Sequence, residues 1–153
     1  MLRRLCLALC CCVLPLALQA QREKLPPDDL EWVEKNFPDA IKTTTGIRYV
    51  VIEAGAGETA KPGQMVSVLY VGRLVNGQTF DQKQDPKDPL TFRLGRSHVI
   101  HGWDQILQLM RPGDKWLVII PPELAYGSRG QPPVIPRNAT LVFMMHLLAA
   151  KSD

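Results

Sequence analysis

The sequence predicts an α+β domain in which an antiparallel sheet of five or six strands wraps around one short helix, with a short helical extension at the N-terminus. Three observations predict this fold. Runs of β-branched and aromatic residues alternate with glycine and proline turns along most of the chain. Within the domain that follows the leader, only residues 98–110 place apolar residues at helical spacing. The 153 residues hold one domain of ordinary size.

Residues 1–20 have the layout of a secretory signal peptide. Arg3 and Arg4 precede an apolar run, and Ala20 supplies the small residue expected before the cleavage site. The run has about 14 residues, fewer than the roughly 20 of a membrane-spanning helix. We therefore expect a secreted or periplasmic mature chain without stable membrane insertion. All four cysteines lie in this segment, so the mature chain is expected to have no disulfide.

The charge balance argues against a nucleic-acid partner, and the residue spacing argues against a metal site. The chain carries 18 basic and 15 acidic residues, and residues 1–20 contain two of the basic ones, which leaves 16 against 15 and a net charge of +1. Such a balance is not typical of a nucleic-acid-binding protein. His98, His101 and Asp104 have roughly helical spacing but lack a fourth ligand, so we expect neither a metal nor another cofactor.

A leader over residues 21–44 precedes a domain over residues 45–150. Residues 21–27 are charged and contain prolines, which predicts a loose segment. Asp28 and Asp29 are candidate N-caps for a short helix over residues 30–36. The helix is expected to end at Phe37, because a residue that precedes proline avoids the helical region.

Strands are predicted on both sides of the central helix. The first covers residues 47–53, and a long one over residues 65–75 places Val66, Val68, Tyr70 and Leu74 on one face. Asn76-Gly77 predicts a hairpin with a type I′ turn, whose central residues both have positive φ. The return strand carries Phe80, and residues 82–88 form a loop before a strand over residues 90–94. Further strands cover residues 115–121 and 140–148.

Alternation along the last two strands predicts a second apolar surface on the back of the sheet. If Trp116 and Phe143 point into the domain, then Leu117, Ile119, Val142 and Met144 point outward. The leader helix carries a matching stripe of Leu30, Val33 and Phe37, with Trp32 nearby. We therefore predict that residues 28–41 cover this patch. Self-association through the patch, or plain exposure of it, are the alternatives.

Three segments carry a family resemblance: LYVGRLVNGQTFD, HVIHGWDQ and LAYGSRGQPPVIPRNATLVF. In this order they resemble the FKBP-type peptidyl-prolyl cis/trans isomerases, the macrolide-binding family, in a secreted single-domain form. The resemblance runs from about residue 45 to residue 149. It implies an FKBP-like fold, an enzyme that accelerates rotation about X–Pro bonds (EC 5.2.1.8), proline-containing polypeptides as substrates and macrolides as inhibitors. We expect a monomer, with a dimer as the alternative.

The same resemblance implies the site. Trp103 would form the floor of an aromatic pocket, Asp81 would lie buried beside Tyr70, and the Ile100 N–H and the Tyr126 hydroxyl would donate hydrogen bonds to the substrate. The catalytic set is Tyr70, Phe80, Asp81, Trp103, Tyr126 and Phe143, and the substrate-binding set is Leu90, Val99, Ile100, Val134 and Ile135. Leu90 and Gln131 depart from residues common in the family, which implies an altered substrate preference.

The implied function is assistance to the folding of exported proteins. One rival is a chaperone-like binding module that holds proline-bearing or unfolded segments with little turnover. A small assembly or envelope protein that reuses the fold is the third hypothesis. Taken singly, the aromatic residues are ordinary core residues, and only their joint order favours the pocket.

Overall fold

The computed structural model describes residues 22–152, so the predicted signal segment lies outside the described residues. Two α-helices, seven strands and two short 3₁₀ turns make up this part of the chain. The helices are α1 (Pro27–Asn36) and α2 (His101–Ile106). The strands are β1 (Ile41–Lys42), β2 (Arg48–Glu53), β3 (Met65–Leu74), β4 (Thr79–Lys83), β5 (Leu90–Arg93), β6 (Lys115–Ile120) and β7 (Leu141–Lys151). The 3₁₀ turns are Leu107–Leu109 and Pro122–Leu124.

All strand pairs of the sheet are antiparallel, and the strand order is β1-β2-β6-β7-β3-β4. Strand β5 pairs with the first half of β3, beside the region that β4 pairs. The predicted α+β fold is confirmed, with one strand more than expected. The extra strand is β1, whose Ile41 and Lys42 pair with Tyr49 and Arg48. A two-residue strand carries no periodicity that a sequence pattern can reveal.

The front face of the sheet packs against α2 and forms the main core. Val66 and Val68 of β3 are fully buried there, as are Val118 and Ile120 of β6. On β7 the inward residues are Leu141, Phe143, Met145 and Leu147, which confirms the predicted alternation. Strand side chains alternate between the two faces, so every second residue of these strands is left for the back of the sheet.

The hairpin between β3 and β4 exists, but its predicted type I′ turn is wrong. The Leu74 N–H donates to the Gln78 carbonyl at 2.9 Å, so the loop has three residues. The Gly77 N–H donates to the Leu74 carbonyl, and only Gly77 has a positive φ, at 88°. This is a type I turn followed by a glycine bulge, the usual three-residue solution. The added residue is compensated by a register shift in the β3–β4 ladder after Gly72.

Helix α1 begins at Pro27, three residues before the predicted start. Pro26 is the N-cap, and no side chain caps the helix, so the predicted capping role of Asp28 and Asp29 is wrong. Proline suits the first helical position because its φ is already helical and its missing N–H would be unpaired there. The two aspartates lie in the first turn instead, where the helix dipole favours negative charge.

The described part of the leader is not loose, contrary to the prediction. The Glu23 carboxylate accepts hydrogen bonds from the Arg48 guanidinium at 3.0 and 3.1 Å and from Lys42 at 2.8 Å. It also accepts the N–H groups of Lys24 and Leu25. Partial burial opposes ionisation of Glu23, but these donors outweigh it and hold the pKa of Glu23 well below its usual range. The leader is therefore held to β1 and β2.

The back of the sheet is covered in part by α1, as predicted. Val33 of the helix is 1% exposed and packs with Ile119 and Val142 of the sheet and with Leu25 of the leader. The surrounding contacts come from Leu30, Trp32, Phe37, Val75 and Leu117. Met144, which the prediction included in the covered patch, is not part of this cluster. The helix thus covers one end of the apolar back surface and leaves the other open.

Candidate active site

A cavity of about 170 Å³ opens on the front side of the domain, between β3, β4, the start of α2 and the loop after β6. Its lining brings together nine of the eleven predicted site residues. These are Tyr70, Phe80, Asp81, Leu90, Val99, Ile100, Trp103, Tyr126 and Phe143, to which the structure adds His98. The predicted residues that the cavity does not include are Val134 and Ile135.

The floor of the cavity is a cluster of mutually perpendicular rings. The Trp103 ring centroid lies 4.8 Å from that of Tyr70 and 5.3 Å from that of Phe143, with interplanar angles of 85° and 82°. Phe80 meets Phe143 at 5.6 Å and 88°. Edge-to-face contact is a favoured aromatic geometry, and Trp103 is only 4% exposed. Each ring is therefore fixed by another, and the floor is apolar and preformed.

Gly72 of β3 makes the close approach of two of these rings possible. A Cβ at this position would lie 2.6 Å from Cζ of Phe80 and 2.8 Å from Cε1 of Phe143. Real Cβ contacts are not that short, so any other residue would push the rings apart. The sequence analysis did not single out Gly72. A glycine inside an otherwise regular strand was the available signal.

The polar side of the cavity is organised by Asp81, which is exposed and not buried as predicted. The Tyr70 hydroxyl donates a 2.7 Å hydrogen bond to the Asp81 carboxylate. Partial burial, followed by this hydrogen bond and the nearby negative charge, raises the pKa of Tyr70 well above its usual range. Burial and the charge of Asp81 also raise the pKa of Tyr126. Both phenols therefore stay neutral and keep their protons near neutral pH.

Helix α2 begins at His101, three residues later than predicted, and this change shapes the site. The Asp104 carboxylate accepts the N–H groups of Gly95 and Ser97 at 2.8 and 3.0 Å, which ties the preceding loop to the helix. Residues 98–100 therefore precede the helix, and all three line the cavity. The Ile100 carbonyl starts the helix by accepting from Trp103, whereas the Ile100 N–H has no acceptor among residues 22–152.

The loop over residues 127–135 adjoins the first cavity through a second one of about 330 Å³. The two share Phe80, Asp81 and Tyr126. Gln131 and Ile135 exchange backbone hydrogen bonds of 2.8 and 2.9 Å, which closes the loop on itself. Val134 is 41% exposed beside this second cavity, whereas Ile135 is 2% exposed and belongs largely to the core. Ile135 therefore anchors the loop as well as lining the cavity.

Other residues of the site escaped the sequence analysis. His98 lines the cavity, although the sequence analysis considered it only as a possible metal ligand. Phe92 packs against Trp103 at 6.2 Å between ring centroids. His98 directly precedes two predicted site residues, which was the available signal. Phe92 lies on β5, which pairs with β3 next to β4. Local periodicity does not show which strand β5 pairs with.

The arrangement suits chemistry that needs no nucleophile. Rotation about an amide bond has a barrier of about 18–20 kcal/mol because it breaks amide resonance. A planar amide is more polar than a twisted one, so an apolar cavity destabilises the planar form more. A fixed donor such as the Ile100 N–H can orient the substrate carbonyl. Within residues 22–152, no three histidine, cysteine, aspartate or glutamate side chains come close enough to share a metal ion.

Comparison with known proteins gives a consistent result. The chain is 43% identical over 139 residues to the isomerase FkpA of Escherichia coli, which covers 87% of the chain and 50% of FkpA. It is 38% identical over 135 residues to the "Outer membrane protein MIP" of Legionella longbeachae, covering 87% and 56% of the two chains. The chain spans between 28% and 56% of the length of these and similar curated relatives.

Solved structures agree with the sequence comparison. A crystal structure of E. coli FkpA matches with a TM-score of 0.73 and 42% identity, covering 82% of this chain and 58% of that one. A peptidyl-prolyl isomerase of Pseudomonas syringae matches with a TM-score of 0.72 and 35% identity, covering 82% and 92%. The family model for FKBP-type peptidyl-prolyl cis-trans isomerases matches residues 56–148, more than half of the chain. The chain therefore belongs to the FKBP-type peptidyl-prolyl cis-trans isomerase family.

Proposed function

We propose that this protein is a peptidyl-prolyl cis-trans isomerase that accelerates the rotation of X–Pro bonds in polypeptides and so assists their folding. One observation carries the proposal. The cavity has an apolar floor of interlocked rings, and backbone and phenol donors stand at its edge. A proline ring placed on Trp103 would bring its preceding amide out of water. Family membership supports the same reaction.

The roles follow from the geometry. Tyr70, Phe80, Trp103 and Phe143 would enclose the proline, with Leu90, Val99 and Ile100 completing the walls. The Ile100 N–H and the neutral Tyr126 hydroxyl would hold the substrate carbonyls. Asp81 would orient the Tyr70 hydroxyl through the bond described above. Val134 and Ile135 would contact the residues next to the proline from the adjoining cavity.

A protease-coupled assay on a short Ala-Leu-Pro-Phe peptide tests the proposal. Phe80→Ala should lower kcat/KM at least about tenfold, equivalent to roughly 1.4 kcal/mol of barrier, because one wall of the apolar cavity is lost. Asp81→Val should also lower kcat/KM. Leu109→Ala is the matched control, since Leu109 is apolar, 46% exposed and not part of the cavity lining. An unchanged kcat/KM in a folded Phe80→Ala protein would contradict the assignment.

The same assay separates the enzyme from the rival binding module. A module that only holds proline-bearing segments would bind the peptide, as measured by quenching of Trp103 fluorescence, without accelerating its isomerisation. The joint presence of Asp81, Tyr126 and Trp103 around one cavity favours turnover, because a pure binding surface has no need of an oriented polar edge.

We further propose that the protein acts on exported polypeptides outside the cytoplasm. The signal-like residues 1–20 and the envelope location in the printed name of the Legionella relative support this. In the part of the chain that the structure describes, no helix has the length and apolar character to cross a bilayer. Secretion of the expressed chain, with N-terminal sequencing of the product, tests the proposal. Processing near Ala20 is expected, and an uncleaved cytoplasmic product would contradict it.

Macrolides are the expected inhibitors, because they bind this family at the proline site. Leu90 lines the cavity, and Gln131 lies in the loop beside it. Neither residue belongs to the ring cluster of the floor, so we expect them to modify substrate preference and macrolide affinity while the activity is kept. Titration of turnover with FK506 measures the affinity. Leu90→Phe should change the inhibition constant more than kcat.

A further inference from the structure

A strip of the back of the sheet beside α1 is apolar and uncovered. Leu117, Met144 and Val71 lie side by side on β6, β7 and β3. They are half-buried. A cavity of about 210 Å³, lined by Val71, Arg73, Leu117, Val142 and Met144, follows this strip. A second cavity of about 160 Å³ continues from Val71 and Met144. We call these two cavities together the back groove.

The back groove has cations on both of its long sides. Arg73 pairs with Val142 in the row on the α1 side, and Lys115 pairs with His146 in the row on the other side. Each row is two residues, or about 7 Å, from the apolar strip. No carboxylate lines either cavity. Within residues 22–152, Arg73 has no ion-pair partner, and the Glu53 partner of Lys115 is itself 61% exposed.

Helix α1 shows which kind of segment this surface accepts. It covers the adjacent part of the same face, and Val142 and Leu117 border both the helix and the back groove. Its sequence, PDDLEWVEKN, combines an apolar stripe with four acidic residues and one basic residue. Packed helices lie 8–10 Å apart. A second helix beside α1 would therefore lie over the strip of Leu117, Met144 and Val71.

We propose that the back groove binds an acidic amphipathic segment of another polypeptide, with its apolar stripe on Met144 and its carboxylates towards Arg73 and Lys115. A second copy of this chain fits less well, because a two-fold contact through the back groove would bring its cationic sides together. A membrane surface fits less well too, since the groove is concave and of side-chain size. The strip of Leu117, Met144 and Val71 lies on the opposite face of the sheet from the active-site cavity. One residue at the edge of the back groove, Tyr70, also lines the active-site cavity.

A fluorescein-labelled synthetic peptide with the sequence of residues 26–37 tests the proposal against the full chain by fluorescence anisotropy. We expect saturable binding that weakens at least about tenfold in Arg73→Glu and in Met144→Glu and that falls with added salt. Met144 is not part of the apolar cluster that α1 forms with the sheet, so its effect separates binding in the groove from displacement of α1. A peptide with glutamines for its four acidic residues should bind at least about tenfold more weakly.

Lys151→Glu is the matched control, because it makes the same change of charge at the far end of β7, where Lys151 pairs with Met65. It should bind the peptide like the parent chain. Urea unfolding and turnover of the short proline peptide should be unchanged in Arg73→Glu. The proposal is overturned if binding is absent or equal in all variants, if Arg73→Glu abolishes a dimer seen by sedimentation, or if phosphatidylglycerol vesicles bind in place of the peptide.

Discussion

Tyr70 joins the apolar floor of the cavity to its polar edge. Its ring packs on Trp103, and its hydroxyl donates to the Asp81 carboxylate at 2.7 Å. The hydroxyl of Tyr126 stands near the same charge. The cavity therefore presents two phenols, Tyr70 and Tyr126, that keep their protons near neutral pH.

This electrostatic arrangement predicts a flat pH profile. Burial and Asp81 raise the pKa of Tyr70, and a raised acid pKa means that the neutral phenol persists above the usual value of about 10. We expect kcat/KM to change little between about pH 6 and 9. A clear step in kcat/KM within this range would show that an ionisable group takes part, contrary to the prediction.

A side chain at Gly72 would test whether turnover requires the rings of Phe80 and Phe143 to be held in place. Gly72→Ala should displace Phe80 and Phe143, since its Cβ would lie 2.6 and 2.8 Å from their rings. We expect kcat/KM to fall about tenfold and the free energy of unfolding to fall by about 1–3 kcal/mol, as for other overpacked sites. Arg73→Ala, at the next and exposed position, is the control for turnover. A fully active Gly72→Ala protein would show that the rings need not be fixed.

At the scale of elements, the leader is held to the sheet by charge as well as by apolar packing. Glu23 binds Arg48 and Lys42, residues of β2 and β1, while Leu25 and Val33 cover Ile119. The ion pairs join residues that are up to 25 positions apart in the sequence. The leader and the first two strands therefore form one packed unit.

Glu23→Gln should lower the free energy of unfolding by about 1–3 kcal/mol at pH 7, because Arg48 would lose its charged partner. The pKa of Glu23 is lowered in the folded state. Its stabilising contribution is therefore complete above the unfolded value of about 4.3 and is lost as the pH falls towards the folded value. Urea unfolding at pH 7 and pH 3 should show the difference between the two proteins shrinking in acid. Glu34→Gln, on the exposed side of α1, should behave like the parent chain at both values.

Across the whole domain, the two faces of the sheet pack against different parts of the chain. The front face builds the core and the active-site cavity, whereas the back face is covered by α1 at one end and open at the back groove. The two surfaces are separated by the thickness of one sheet. Changes on the back should therefore alter stability and association more than catalysis.

Removal of residues 21–40 tests this separation. Ile119 and Val142, now 0% and 9% exposed, would be opened to water. We expect a lower Tm or concentration-dependent dimerisation, with kcat/KM on the short peptide largely kept. Val33→Ala is a milder version and should cost about 1–3 kcal/mol. A truncated chain that is as stable and as monomeric as the chain from residue 21 would rule out a structural role for the leader.

The amino-acid pattern predicted the order of the elements apart from β1, and the inward and outward residues of β3, β6 and β7. Through the family resemblance it also predicted nine residues of the cavity lining. These follow from local periodicity and from motif order, which the chain carries at short range. Four features emerge only in the folded chain: the exposure of Asp81, the anchoring role of Ile135, the ion pair of Arg48 with Glu23, and the uncovered strip at Met144. Each of these features depends on which distant segment packs against the residue. A local sequence pattern does not show which long-range contacts have the most favourable free energy.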